Sequence, residues 1–188
     1  IIRKFNMHVL GPSMIGVIDF QHSFTTSVIP TRSHILQPFE REKEEKGISF
    51  LAQSGGLSGG LGWWKPVQSV QFSKIIHIGK AMNISEAEIL EYLLHDPASE
   101  VVIMFLRKLE PEIVDVVKRN YKVKPILFKY CGRSTPLTEE LVKAGAIEVR
   151  NYIELFEYAK LFLWCPPPTK NSVGIIGPSA GAISLLLS

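Results

Sequence analysis

Gly47-Ile-Ser-Phe-Leu-Ala-Gln-Ser-Gly-Gly-Leu-Ser-Gly-Gly-Leu-Gly62 decides how the chain is read. Gly47 to Ser54 is a short apolar run rich in β-forming residues, and it passes at once into a glycine-rich segment. That order predicts a strand, a tight turn and the start of a helix. Glycine lets backbone N–H groups come close to a ligand. The first N–H groups of a helix have no partner and lie at the positive end of its dipole, so a phosphate or carboxylate fits there. A glycine-rich turn also joins strands to helices with no ligand, and the stretch alone leaves both readings open.

The same unit repeats further on. Phe72–Ile78 reads as a second strand, ended by Gly79. Ser85 and Glu88 have capping-box spacing for a helix with Ile89, Leu90, Leu93 and Leu94 on one face, and His95-Asp96-Pro97 ends it. Val101–Leu106 is a third strand, apolar throughout. Pro111–Asn120 is a helix with Ile113, Val116 and Val117 inward. Pro125–Tyr130 is a fourth strand, Leu137–Ala144 a helix closed by Gly145, and Ala146–Val149 a fifth strand. Asn151, with Glu154 three residues on, starts a last helix running to about Trp164.

Five strands, each followed by a helix, demand a parallel sheet with right-handed crossovers. Continuous apolar strands fit a sheet covered on both faces. The predicted fold class is α/β, a flavodoxin-like three-layer domain around a five-stranded parallel sheet. Ligands of such sheets sit beyond the carboxyl ends of the strands. That edge collects Gln53-Ser54-Gly55-Gly56, Gly79-Lys80, Arg107-Lys108 and Cys131-Gly132-Arg133-Ser134.

Before Gly47, Ile1–Lys4 reads as a helix end, Met7–Leu10 as a short strand, Gly11-Pro12-Ser13 as a turn and Gly16–Phe20 as another strand. Phe39–Lys46 is a charged run, read as a solvated linker. After the last helix, Cys165-Pro-Pro-Pro168 begins a linker to Ser172–Ile176, read as a new strand. The chain opens on Ile1-Ile2 and closes inside an apolar segment, so it is expected to be a fragment of a longer protein.

Composition excludes several classes. The 188 residues suffice for one good core. The +3 net charge is spread over scattered Lys and Arg, which gives no nucleic-acid footprint. Cys131 and Cys165 make neither a disulfide framework nor a metal pattern, so the default expectation is a reducing cytoplasm and no metal in this chain. No apolar run approaches the roughly 20 residues of a membrane span. No signal peptide is read.

Four further features carry competing readings. His77, near the carboxyl edge of the second strand, is read as a buried or edge histidine with a backbone partner, against a replacement phosphoacceptor. Cys131 is read as a small buried apolar residue, against a catalytic thiol. Trp63-Trp64 is read as packing or a domain interface. Gly177-Pro-Ser-Ala-Gly181 matches the G-x-S-x-G elbow of hydrolases, but the acid and histidine of that fold follow the serine, so a glycine-rich strand–helix turn is preferred.

Taken together, the chain resembles the NDP-forming acyl-CoA synthetases of the succinyl-CoA synthetase superfamily. Leu10-Gly-Pro-Ser-Met-Ile-Gly-Val-Ile18 resembles the end of that family's CoA-binding domain. Gly47–Gly56 resembles the first strand and phosphate-facing helix start of its flavodoxin-like ligase domain. Phe72-Ser-Lys through Glu91-Tyr-Leu-Leu-His-Asp-Pro97, and Ala144-Gly-Ala-Ile-Glu-Val through Leu155-Phe-Glu-Tyr-Ala159, resemble its second and closing units. Ser172–Ser184 resembles the opening of its second flavodoxin-like domain. The resemblance implies four parts. Residues 1–38 would be the end of a CoA-binding Rossmann-like domain and 39–46 a charged linker. Residues 47–165 would be the ligase domain, and 166–188 a linker and the start of a second flavodoxin-like domain.

The resemblance also implies a function: acid, CoA and a nucleoside triphosphate give acyl-CoA through an acyl phosphate and a phosphorylated histidine. Ser54, Gly55 and Gly56, beside Gln53, would hold the phosphate. Gly11, Pro12 and Ser13 would lie near the CoA thiol, although the family usually has Asn where Ser13 stands. The partners implied are CoA or acyl-CoA, an ATP-grasp domain or subunit, and an oligomer, with neither nucleic acid nor membrane. The sequence departs from the family at the chemistry. Lys129-Tyr-Cys-Gly-Arg-Ser-Thr-Pro136 runs straight into the helix, with no histidine in the short loop. Arg107 stands where the family has the Glu that steadies the phosphohistidine. Arg107 and Arg133 suit anion binding but carry no phosphoryl group, so no catalytic residue is assigned. Two alternatives stand beside the ligase reading. One is a non-catalytic paralogue that binds CoA or another anion or serves as an assembly subunit. The other is an unrelated flavodoxin-like binder of flavin or phosphate.

Overall fold

The computed structural model of the chain describes residues 2, 4–28, 46–61, 70–165, 170, 172 and 174–187. Two short strands, β1 (Val17–Asp19) and β2 (Phe24–Thr25), precede β3 (Gly47–Ala52) and α1 (Gly55–Gly60). Then follow β4 (Phe72–His77), α2 (Glu86–His95), β5 (Ser99–Leu106) and α3 (Pro111–Asn120). The chain continues through β6 (Ile126–Tyr130), α4 (Pro136–Lys143), β7 (Ile147–Glu148), α5 (Tyr152–Trp164) and α6 (Ala180–Leu187).

The strands form one sheet ordered β2-β1-β4-β3-β5-β6-β7. β3 pairs in parallel with β4 and β5, β5 with β6, and β6 with β7. Taken alone, these five strands have the 2-1-3-4-5 order of flavodoxin-like sheets. The expected fold class is therefore the observed one. The sheet is wider than expected: β1 runs antiparallel to β4, with Val17 opposite Ile76, and β2 turns back along β1. The strand read at Gly16–Phe20 is thus present as β1, but its place in this sheet was not expected, and two-residue β2 is too short to show alternation.

Alternation along β3 makes the two cores. Leu51 faces the layer of α2, α3 and α4, among Leu90, Leu93, Met104 and Phe128. Phe50, next to it, faces the opposite layer with Leu61 just after α1 and with Leu155 and Phe156 of α5. The Phe50 and Phe156 rings meet edge-on at 5.8 Å. Each such fully buried side chain contributes about 1.5–3 kcal/mol. With both faces covered, every residue of β3 and β4 is buried.

The helix starts follow from local chemistry. Ser85 Oγ accepts from Glu88 N at 3.2 Å, and Ser85 N donates to Glu88 Oε2 at 2.7 Å, closing the expected capping box. Asn151 Oδ1 accepts from Ile153 N and Glu154 N at the start of α5.

Three local expectations are corrected. Met7–Leu10 is not a strand: Asn83 holds it, accepting from Val9 N and donating to Met7 O, so a side chain takes the place of a neighbouring strand. Ile2 and Lys4 lie in a turn bridged by Met7 N to Ile2 O, not a helix end. Ser172 and residues 174–176 carry no strand, because no strand pairs with them among the described residues. Trp63, Trp64, Pro166–Pro168 and most of the charged run before Lys46 lie outside the described residues.

Candidate functional site

Register places the candidate residues together. Ala52 lies opposite His77 on one side and Phe105 on the other, so β3, β4 and β5 end at one level. Gln53, Gly79 and Arg107 follow just beyond. The direction of winding changes between β3 and β5, because α1 packs on one face and α3 on the other. Open α/β sheets bind ligands at such a switch point.

At the glycine turn, Ser54 is the N-cap of α1, its hydroxyl accepting from Leu57 N at 3.5 Å. Gly55 is required by crowding: a Cβ there would lie 2.8 Å from Ile15 Cγ1 and 3.0 Å from His77 Cε1. Gly56 opens onto space, with nothing within 4 Å of a Cβ position. The turn is thus tight on its inner side and open on its outer side.

His77 is buried, and its Nδ1 accepts from Ile15 N at 2.8 Å. The expected backbone partner is present. That bond fixes the neutral tautomer with hydrogen on Nε2. Burial holds its pKa below the ordinary value. Gly11 to Gly16 runs along this edge, binding the turns together. Pro12 O accepts from Lys80 N, Gly11 O from Met82 N, and Gly16 O from His77 N. Gly79 has φ +69°, and a Cβ on it would collide with Pro12 O, so only glycine allows this approach. Gly11 is buried, whereas Pro12 and Ser13 are exposed.

Gln53 ties the other side. Its Oε1 accepts from Arg107 N at 2.6 Å and Lys108 N at 2.8 Å, and its Nε2 donates to Glu86 Oε1 at 2.8 Å. The amide therefore shapes the β5–α3 loop. Around it opens a cleft of about 570 Å³, lined by Lys80, Arg107, Lys108, Glu86 and Glu110 among others. Gln53 and Arg107 thus share one cleft. Arg133 does not line it, and lies exposed in the β6–α4 connection. Sequence reading placed Lys80 and Lys108 at this edge but missed Glu86 and Glu110. Both stand at helix starts on the same edge, which is the signal that identifies them.

The β6–α4 connection is short. Thr135 caps α4, and Ser134 Oγ lies 3.1 Å from Thr138 Oγ1. Cys131 is exposed, which corrects the buried reading: its backbone N–H continues the sheet to Leu106 O while the residue stands beyond the covering helices. Ser179 accepts from Ala182 N at 3.3 Å and so caps α6, with no strand directly before it among the described residues. Among the described residues, no group of three or more His, Cys, Asp or Glu is arranged to hold a metal, and no helix is long and apolar enough to cross a membrane.

At the opposite end of the sheet is a buried charge network that sequence reading missed. Lys74 Nζ lies 2.7 Å from Asp96 Oδ2 and 3.7 Å from Asp19 Oδ2. Ser99 Oγ donates to Asp96 Oδ2 at 2.7 Å. Lys124 Nζ donates to the Asp96 carbonyl. The only sequence signal is a lysine inside the apolar run Phe72–Ile78.

Comparison with known proteins gives the same fold. The family model described as succinyl-CoA ligase like flavodoxin domain matches residues 45–140, about half of the chain. An ADP-forming acetate–CoA ligase of Methanocaldococcus jannaschii is 24% identical over 200 residues, covering 96% of this chain and 27% of that protein. The alpha subunit of ADP-forming acetate–CoA ligase II of Pyrococcus furiosus is 22% identical over 201 residues, covering 96% of this chain and 41% of the subunit. The solved dinucleotide forming acetyl-coenzyme A synthetase 1 of Ca. Korarchaeum cryptofilum, in complex with phosphate and ADP, matches 90% of this chain and 39% of its own with a TM-score of 0.76 and 20% identity. The chain thus spans less than half the length of these relatives. On the family match and the observed sheet order, the chain belongs to the succinyl-CoA ligase like flavodoxin domain family.

Proposed function

We propose that the chain is the flavodoxin-like ligase part of an NDP-forming acyl-CoA synthetase-like protein and lacks its own phosphohistidine. The whole protein would join an acid and CoA at the expense of a nucleoside triphosphate, with an ATP-grasp domain or subunit as partner. The observation that carries the reading is the β6–α4 connection, where Tyr130 is followed within a few residues by the Thr135 cap and no histidine stands between. Arg107, in place of an acid that would steady a phosphohistidine, supports the same reading. In this proposal Ser54, Gly55 and Gly56 hold a phosphate at the turn. Gln53 and Arg107 adjoin it, Arg133 adds positive charge, and CoA approaches Gly11, Pro12 and Ser13.

A second reading, a non-catalytic CoA- or anion-binding paralogue, is favoured by the same missing histidine. Titration with inorganic phosphate, followed by amide NMR, tests the part common to both. The Gly55 and Gly56 amides are expected to shift and saturate. Unmoved amides at high phosphate would make the turn purely structural.

A further inference from the structure

We propose that the seam between the segment leading into β1 and the β4–α2 loop is an oxidation-sensitive modification site, where a peroxide converts Met14 to its sulfoxide and so loosens the seam.

The chain has four methionines, and Met7, Met14 and Met82 all lie on this seam. Residues 7–16 run along the loop with no strand or helix of their own. A row of hydrogen bonds holds them there. Asn83 Nδ2 donates to Met7 O at 2.8 Å, and Val9 N donates to Asn83 Oδ1 at 2.9 Å. Met82 N donates to Gly11 O at 2.9 Å, Lys80 N to Pro12 O at 2.9 Å, and Ile15 N to His77 Nδ1 at 2.8 Å. Both sides also hold a non-glycine residue in the left-handed region, Ser13 at φ 61° and Ala81 at φ 47°. Such a backbone persists only while its neighbours hold it.

Met14 occupies the tightest part. Its Cγ and Sδ lie 3.3 Å from the place a Cβ on Gly11 would take, and its Cβ lies 3.1 Å from that place on Gly79. The residue is half-buried, so a small oxidant reaches it without unfolding. Met7 and Met82 flank it and are 48% and 52% exposed. Met104 is wholly buried in β5 and serves as an internal reference.

In the reaction, a lone pair of the thioether sulfur attacks one oxygen of hydrogen peroxide. An S–O bond forms and the O–O bond breaks. The departing hydroxide takes the proton of the transferred hydroxyl and leaves as water. Sulfur loses two electrons and the peroxide gains them. An apolar side chain has then become a polar one with an added acceptor. Lys80 N and Met82 N are already spent on Pro12 O and Gly11 O. The sulfoxide oxygen at Met14 must compete with those carbonyls or stay unpaired, and either outcome weakens the seam. Sulfoxides at Met7 and Met82 face water and cost the seam little. On the function proposed above, the same segment lies beside CoA, but the test does not rest on that reading.

The chain is treated with dilute hydrogen peroxide and quenched. Peptide mass spectrometry then follows each methionine, and hydrogen exchange follows the amides of Val9, Ile15, Lys80 and Met82. Met7 and Met82 should oxidise first and Met14 next, with Met104 unreacted. Once Met14 is oxidised, those four amides should exchange about tenfold faster or more, while the amides of β5 stay slow. Met14→Leu keeps the volume and cannot form a sulfoxide, so its amides should stay slow after the same treatment. Met7→Leu combined with Met82→Leu should still show the acceleration. Methionine sulfoxide reductases for both epimers, with dithiothreitol as the two-electron donor, should restore slow exchange in the parent chain, a test that needs no variant. The proposal is overturned if Met14 oxidises no faster than Met104, if its oxidation leaves the four amides unchanged, or if Met14→Leu shows the same acceleration as the parent. No readout uses phosphate or CoA, so these failures are distinguishable from failure of the proposed function.

Discussion

The backbone N–H of Ile15 donates to Nδ1 of His77 at 2.8 Å, joining the segment before β1 to the end of β4. Protonating His77 requires that bond to break, and burial already disfavours the charged ring. A base whose folded pKa is depressed binds its proton more readily in the unfolded chain. Stability should therefore fall as pH drops below the ordinary value of 6.5 and level off below the folded value. Urea unfolding between pH 7.5 and 5 checks this. His77→Asn, which keeps an acceptor without titrating there, should flatten the decline; an identical pH profile would show that His77 does not contribute it.

Adjacent glycines should respond in opposite ways. Gly55→Ala drives a methyl into Ile15 and His77 and should cost about 1–3 kcal/mol. Gly56→Ala meets open space and should be neutral or stabilising by up to about 1 kcal/mol, the helix preference for alanine. Denaturant midpoints of the two variants compare them directly.

Lys74→Met leaves the buried Asp96 carboxylate without its charge partner and should cost about 3–5 kcal/mol. Burial pushes the Asp96 carboxyl up, but hydrogen bonds from Lys74 and Ser99, the Lys74 charge and the Ala98 N–H together hold it below its ordinary value. The sign is then that of a depressed acid. Its contribution is present above the ordinary value of 3.8 and lost as pH falls through the folded value. Acid unfolding of the parent and of Asp96→Asn measures it, and the variant should show a shallower acid limb.

Ile176, Leu185 and Leu186 are exposed large apolar residues, on and just before α6. The purified chain is expected to self-associate or to bind an added ligase partner through this segment. Size-exclusion chromatography with light scattering checks it, and a clean monomer with no aggregation would count against it.

The parallel sheet was legible because each of its units carries its own punctuation: an apolar run, then Gly79, Pro111 or the Ser85 and Asn151 caps. β1 was legible as a strand within Gly16–Phe20, but its pairing to β4 was not, and two-residue β2, which pairs only with β1, carries no local pattern. At the site, the residues at strand ends were found from the rule that loops after parallel strands gather at one edge. Their roles needed coordinates. Nothing in Gln53 as a residue says that both ends of its amide are spent on Arg107, Lys108 and Glu86. The Lys74–Asp96 pair is separated by 22 residues, beyond any helical or strand period.

The central claim is a ligase-family chain without a phosphohistidine of its own. Peptide mass spectrometry under alkaline conditions, after incubating the purified chain with a nucleoside triphosphate and the proposed ATP-grasp partner or with an acyl phosphate, tests it most directly. The predicted result is no phosphate on His8, His22, His34, His77 or His95. An acid-labile phosphate on His77, or on any of the others, would contradict it.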